Sequence, residues 1–152
     1  MLRAIGTVTA SAWSGEACDS VLLDYEARQR RRITLRCASG REILLDLAAP
    51  AQLREGDALE LEDGRYVHVH AAAETLTEVR AESAAALVRL AWHFGNRHVC
   101  AELGPGWLRI RPDRVLSDLA IRLGGRVCEV VAPFNPERGA YSAHAHPLSP
   151  PL

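Results

Sequence analysis

Lysine is missing from this chain: all 18 basic residues are arginine. They face 19 acidic residues, for a formal net charge of −1. The molecule as a whole therefore lacks the positive field with which a nucleic-acid binder gathers phosphates. Long apolar runs are missing too. None approaches the ~18 residues that a membrane-spanning helix needs, and the start "MLRAIGTVTASAW" has no apolar core of the export-signal kind. Cysteine is sparse. The four residues at 18, 37, 100 and 128 form no Cys-x-x-Cys pair, which excludes a zinc knuckle and a thioredoxin-type motif. Isolated thiols without an export signal read as reduced, hence a cytoplasmic chain. Catalytic signatures are absent as well: no GxSxG, P-loop, HExxH or GxGxxG occurs. The chain reads as a binding protein and not as an enzyme.

What is present has an ordinary globular balance, 48% hydrophobic and 24% charged over 152 residues. That length allows one domain or two small ones. Residues 1–73 read as an all-β domain. In "RITLRC", Ile33, Leu35 and Cys37 alternate with Arg32, Thr34 and Arg36, as in a strand with one buried face. "REILLDL" returns with Ile43, Leu45 and Leu47 inward, and Asp63-Gly64 marks a second hairpin. Short strands at this spacing predict a small sandwich or a partly open barrel.

The period changes near residue 74. Leu76–Val79 reads as a short strand. A helix follows, capped by Ser83 and running to Phe94, with Gly95 as its stop. "RHVCAEL" and "WLRIR" read as a hairpin across "GPG". Asp113 caps a second helix whose apolar stripe is Val115, Leu116, Leu119, Ala120 and Leu123, and Gly124-Gly125 ends it before the strand "RVCEVVA". The order β-α-β-β-α-β over residues 74–132 predicts an α+β, ferredoxin-like domain, bounded at 74–142. Residues 143–152, with prolines and two histidines, read as a flexible tail.

The chemistry lies in the histidines. In "HVCAEL" a strand period sets Val99, Ala101 and Leu103 on one face and His98, Cys100 and Glu102 on the other. Neutral imidazole is the commonest protein ligand for late first-row divalent metals. One histidine at a strand start is more often a surface or hydrogen-bonding residue. "YSAHAHP" adds His144 and His146, two apart, so that both rings of an extended segment can chelate one ion. Two exposed tail histidines can equally do nothing. His68 and His70 in "VHVH" repeat the spacing, with no third ligand in view. Arg28, Arg30, Arg31, Arg32 and Arg36 concentrate charge near Tyr25, which suits a solvated face or a protein-docking patch better than a nucleic-acid site with interleaved aromatics.

"GNRH" at 95–98 resembles the signature of the urease accessory protein UreE family of nickel metallochaperones. "DYEARQRRRITL", "LREGDALELEDGR", "LRIRPDRVLSDLAIRLG" and "APFNPERGAY" resemble further segments of that family, in order along almost the whole chain. The resemblance implies an N-terminal β domain that binds a peptide or partner protein, and a ferredoxin-like C-terminal domain that forms a homodimer. It implies that His98 of both protomers holds one Ni(II), with His144 and His146 as added ligands. The ion then passes to an accessory GTPase and the urease apoprotein complex. The same donors suit Zn(II) and Cu(II). Two features depart from the family pattern: the tail has His-Ala-His and no long polyhistidine store, and Cys100 stands two residues after the motif histidine.

The resemblance meets a physical requirement. One His98 supplies one nitrogen, too few to hold an ion, and a two-fold axis doubles it. The competing reading is a peptide- or protein-binding scaffold with incidental histidines. A metal-dependent hydrolase has only Glu102 nearby as an acid or base.

Overall fold

The computed structural model describes residues 1–138. They divide into two compact units. One holds Met1–Glu74 with Val131–Asn135; the other holds Thr75–Val130 and continues from Pro136.

The first unit is rich in strands: β1 (Leu2–Val8), β2 (Asp19–Leu23), β3 (Arg32–Arg36), β4 (Glu42–Asp46), β5 (Ala58–Leu61) and β6 (Tyr66–Ala71). They make one six-stranded sheet in the order β2-β6-β5-β1-β4-β3. Hairpins pair β3 with β4 and β5 with β6 antiparallel, while β1–β4 and β2–β6 run parallel. The sheet curls: the Ala38 N–H beyond edge strand β3 reaches the carbonyl of Ser20 on the opposite edge strand at 2.8 Å. The partly open barrel describes this better than a sandwich of two sheets. Of the residues that the alternation sets inward, Leu35, Cys37, Ile43, Leu45 and Leu47 are buried and Ile33 is partly buried against them; Ala4, Val21, Leu59, Leu61, Val67 and Val69 complete the core. Truncating one such leucine to alanine costs about 2–5 kcal/mol.

One expectation fails in this unit. Arg28 is 1% exposed and so takes no part in an arginine docking patch. It lies in a one-turn helix, Ala27–Gln29. Its guanidinium donates to the carbonyls of Leu53, at 3.1 Å, and Phe134. Both acceptors are distant in sequence, so no local pattern betrays the burial. Desolvation pulls its pKa below the usual arginine value.

The second unit has the order β7 (Ala73–Arg80), α1 (Ala84–Asn96), β8 (Glu102–Gly104), β9 (Trp107–Ile110), α2 (Arg114–Arg122) and β10 (Arg126–Pro133). The sheet order is β10-β7-β9-β8, with β7–β9 and β8–β9 antiparallel. Ser83 Oγ accepts the Ala86 N–H at 3.1 Å and Asp113 Oδ1 accepts that of Leu116 at 3.0 Å, the two predicted N-caps. Leu90, Phe94 and Ala120 of the helices meet Val79, Leu108 and Ile110 of the sheet. Val115 was expected in the α2 stripe but is 76% exposed. One residue off the Leu116–Ala120 line, it faces away from the sheet. At Gly104 a Cβ would lie 2.1 Å from Cζ2 of Trp107, so any larger residue there requires the indole to move.

Candidate functional site

The C-terminus of α1 overturns two expectations. Gly95 lies inside the helix, and residues 98–101 are not a strand; β8 starts only at Glu102. The helix ends in a Schellman motif. The His98 N–H donates to Gly95 O at 3.0 Å, and the Val99 N–H to Phe94 O at 3.1 Å. This motif needs one residue in left-handed backbone, and His98 supplies it at φ 57°. Among the described residues it is the one non-glycine with positive φ. Val99 then packs on the core that holds Phe94, the apolar contact that usually accompanies the motif. Arg97 bonds back to the His93 carbonyl at 3.2 Å.

The consequence for His98 is exposure. The left-handed turn throws its imidazole outward while Val99 and Ala101 turn in. The partition that alternation predicted holds for Val99 and Ala101 against His98 and Cys100 but fails beyond them, because the segment is not a strand: Leu103, expected inward, is 52% exposed, and Glu102, expected on the His98 face, is largely covered, with 14% of its side chain exposed. Beside it lies a groove of about 370 Å³, lined by Ala91, Gly95, His98, Cys100, Leu103 and Arg138, among others. Large apolar side chains stand exposed nearby in sequence: Val88 at 68%, Trp92 at 64% and Leu103 at 52%. Val88 and Trp92 are four apart, so they share one face of α1.

Glu102 joins a charged row, with a carboxylate oxygen 3.6 Å from Arg109 Nη1. Cross-strand register aligns Glu102 with Arg109 and Arg109 with Glu78, on β8, β9 and β7. Glu78 is 4% exposed and accepts from Arg80 Nε at 2.7 Å and Arg109 Nε at 2.9 Å. Burial pushes its carboxyl pKa up, but the two guanidiniums outweigh this and hold it below the ordinary range. Arg109 also stacks on the Trp107 ring at 4.0 Å. Glu102 therefore serves a structural row and offers a hydrolase little.

His144 and His146 lie outside the described residues. Among the described residues no group of three or more His, Cys, Asp or Glu is arranged to hold a metal ion. Of the cysteines, Cys100 is exposed on the groove. Cys37 is buried, and burial pushes its thiol up to about 11.

In the first unit the structure assembles more around the other histidine pair than the sequence did. His68 and His70 share a face of β6 with ring centroids 4.2 Å apart. Glu55 Oε1 sits 3.2 Å from His70 Nδ1, and Trp13 packs edge-on against His68 at 5.6 Å. Sequence reasoning missed Glu55 and Trp13, which lie far from β6 along the chain and carry no motif. Burial raises the Glu55 pKa, but the Ala71 N–H and the His70 ring lower it further, leaving the carboxyl below its ordinary range.

Two comparisons with known proteins agree with this architecture. The family model "UreE urease accessory protein, N-terminal domain" matches residues 1–72, and its C-terminal counterpart matches residues 74–149. "Urease accessory protein UreE" of Bradyrhizobium sp. (strain ORS 278) is 50% identical over 148 residues, covering 96% of this chain and 70% of that protein. The protein of the same name from Rhodopseudomonas palustris (strain BisB18) is 46% identical over 147 residues, covering 97% and 70%. That from Beijerinckia indica is 45% identical over 142 residues, covering 93% and 82%. With both halves matched in order and near-half identity along the chain, this protein belongs to the UreE family of urease accessory proteins, with a role in urease maturation and not as an enzyme.

Proposed function

We propose that the chain is a homodimeric nickel metallochaperone that donates Ni(II) during assembly of the urease metallocentre. The observation that carries this reading is His98, held in left-handed backbone at an exposed helix end on a groove that Leu103 also lines, with Val88 and Trp92 exposed along the same helix. Strain kept at one residue, where glycine does the job elsewhere, fits a side chain needed for function. An exposed apolar face beside it fits a second copy of the chain. A two-fold axis there pairs His98 with its symmetry mate around one ion. Ni(II) then has open positions, which His144 and His146 complete. Zn(II) and Cu(II) suit the same donors, and Cu(II) binds more tightly by the usual order, so nickel selectivity comes from supply and partners.

The element order from β7 to β10 and the sheet order β10-β7-β9-β8 support a ferredoxin-like reading of the metal-binding and dimerisation domain, proposed to span residues 74–142. The strand-rich residues 1–73 are the proposed docking domain for the accessory GTPase and urease apoprotein complex. We place the protein in the cytoplasm, where isolated thiols such as its four cysteines stay reduced. No helix of the described residues is long and apolar enough to cross a membrane.

Calorimetric titration with Ni(II) and sedimentation together test the proposal. The full chain is expected to be a dimer that binds a tight ion at the interface. His98→Ala is expected to lose that ion and remain a dimer. Nickel binding unchanged in His98→Ala, with partner binding intact, sinks the carrier reading and leaves a protein-binding scaffold.

A further inference from the structure

We propose that His68 and His70 form a second divalent-metal site, on the sheet of the first unit: a two-imidazole chelate for Ni(II), Zn(II) or Cu(II), oriented by Glu55. The two residues stand two apart on β6, so both side chains rise from one face. The register puts the small Ser20 and Ala58 beside His68, and beside His70 it puts Leu22, which is 70% exposed. The rings approach to 4.2 Å between centroids, close enough for one nitrogen of each to meet a common ion after a small rotation.

The stronger argument is the partner of each ring. A carboxylate only accepts, so the His70 nitrogen that faces Glu55 at 3.2 Å carries the proton. Nε2 of His70 is then left with its lone pair, directed away from Glu55. Metal-binding histidines are built this way, with the other ring nitrogen donating to a carboxylate. Glu55 is itself anchored, because its second oxygen accepts the Ala71 N–H at 2.9 Å. His68 is braced by the Trp13 indole, which donates to Gly56 O at 3.0 Å. His70 and Glu55 keep about half their side-chain surface open, 42% and 54%, so a hydrated ion can reach them. Two imidazoles leave the other coordination positions to water, which suits a loosely held and exchangeable ion.

The test uses the full-length chain with His98, His144 and His146 replaced by alanine. Of the six histidines it keeps His68, His70 and His93. Titration with Ni(II) is followed by calorimetry and by tryptophan fluorescence. About one ion per chain is expected, with quenching of Trp13 at the same midpoint. His68→Gln/His70→Gln in that background is expected to abolish both signals, and Trp13→Phe the quench alone. Glu55→Gln is expected to weaken binding roughly tenfold with thermal stability little changed. No bound ion in the triple variant overturns the proposal, as does an ion that survives His68→Gln/His70→Gln. Unchanged affinity in Glu55→Gln overturns the orienting role of that carboxylate. Because the ligands of the proposed interface site are already removed, neither result depends on that site.

Discussion

His98 and Gly124 hold the same position in the same helix-ending motif. Each donates its N–H to a carbonyl three residues back at 3.0 Å, Gly95 for His98 and Ile121 for Gly124. The next residue in each case reaches back five residues, Val99 to Phe94 and Gly125 to Ala120. Each sits in left-handed backbone, at φ 57° and φ 85°. One helix thus ends on the residue that the geometry prefers and the other on an imidazole that it disfavours.

This pairing predicts a substitution that stabilises the fold and removes function. In metal-free protein, His98→Gly relieves left-handed strain worth ~1–2 kcal/mol, offset in part by the greater freedom of glycine in the unfolded chain. The net gain is about 1 kcal/mol, or a rise of ~2–4 °C in melting temperature for a chain of this size. His98→Val is expected to move the other way, since a β-branched residue tolerates positive φ poorly. Calorimetry of both variants in chelator checks the signs. A glycine variant that melts below the parent contradicts the strain argument.

Glu78 predicts a pH dependence. Its folded pKa lies below its unfolded value near 4.5, because Arg109 and Arg80 outweigh the effect of burial. A lowered carboxylate pKa contributes stability that is complete above the unfolded pKa and is lost as pH falls through the folded one. Glu78→Gln is therefore expected to cost about 1.5–3 kcal/mol at pH 7, the range of charge-assisted hydrogen bonds. The gap between parent and variant should close as pH drops below about 4.5. Urea unfolding at pH 7 and at several acidic values measures it; a gap that stays constant counts against the pairing.

What the sequence made legible was what local chemistry decides. Ser83 and Asp113 announced both helix starts, because a cap needs only its own three following residues. Ile43, Leu45 and Leu47 announced an inward face by alternation alone. Gly95 misled because glycine near a helix end reads as a stop, whereas the left-handed position falls at His98. Arg28 misled for another reason: a run of arginines reads as surface, and its acceptors on Leu53 and Phe134 are invisible to any window. The pairing of Glu55 with His70 was hidden in the same way, since it depends on where the fold carries the loop before β5.

Arg28 is expected to be among the costliest polar side chains to remove from the first unit. Arg28→Met fills part of its volume but leaves the Leu53 and Phe134 carbonyls without their donor. Each unsatisfied buried acceptor costs roughly 1–3 kcal/mol, so a loss of about 2–4 kcal/mol is expected after the gain in apolar packing. Phe134 is fully buried against the Tyr25 ring, at 5.0 Å between centroids, and should loosen with it. The urea midpoint reports the first effect, and amide hydrogen exchange around residue 134 the second. A variant as stable as the parent shows that the buried guanidinium does no more than a hydrophobe there.

Trp92→Glu separates folding from assembly. Trp92 is 64% exposed and, among the described residues, its ring contacts His93, so the chain alone loses little when it changes. On the proposed dimer face the same change places a carboxylate in an apolar contact, opposite its own symmetry copy. Two like charges so placed, each poorly solvated, cost several kcal/mol of association. Sedimentation is expected to show a folded monomer, with melting of the chain itself little changed. Nickel should then bind weakly, because one His98 without its mate offers a single interface nitrogen. If Trp92→Glu stays dimeric and keeps tight nickel, the subunits meet elsewhere and the ion owes nothing to this face of α1.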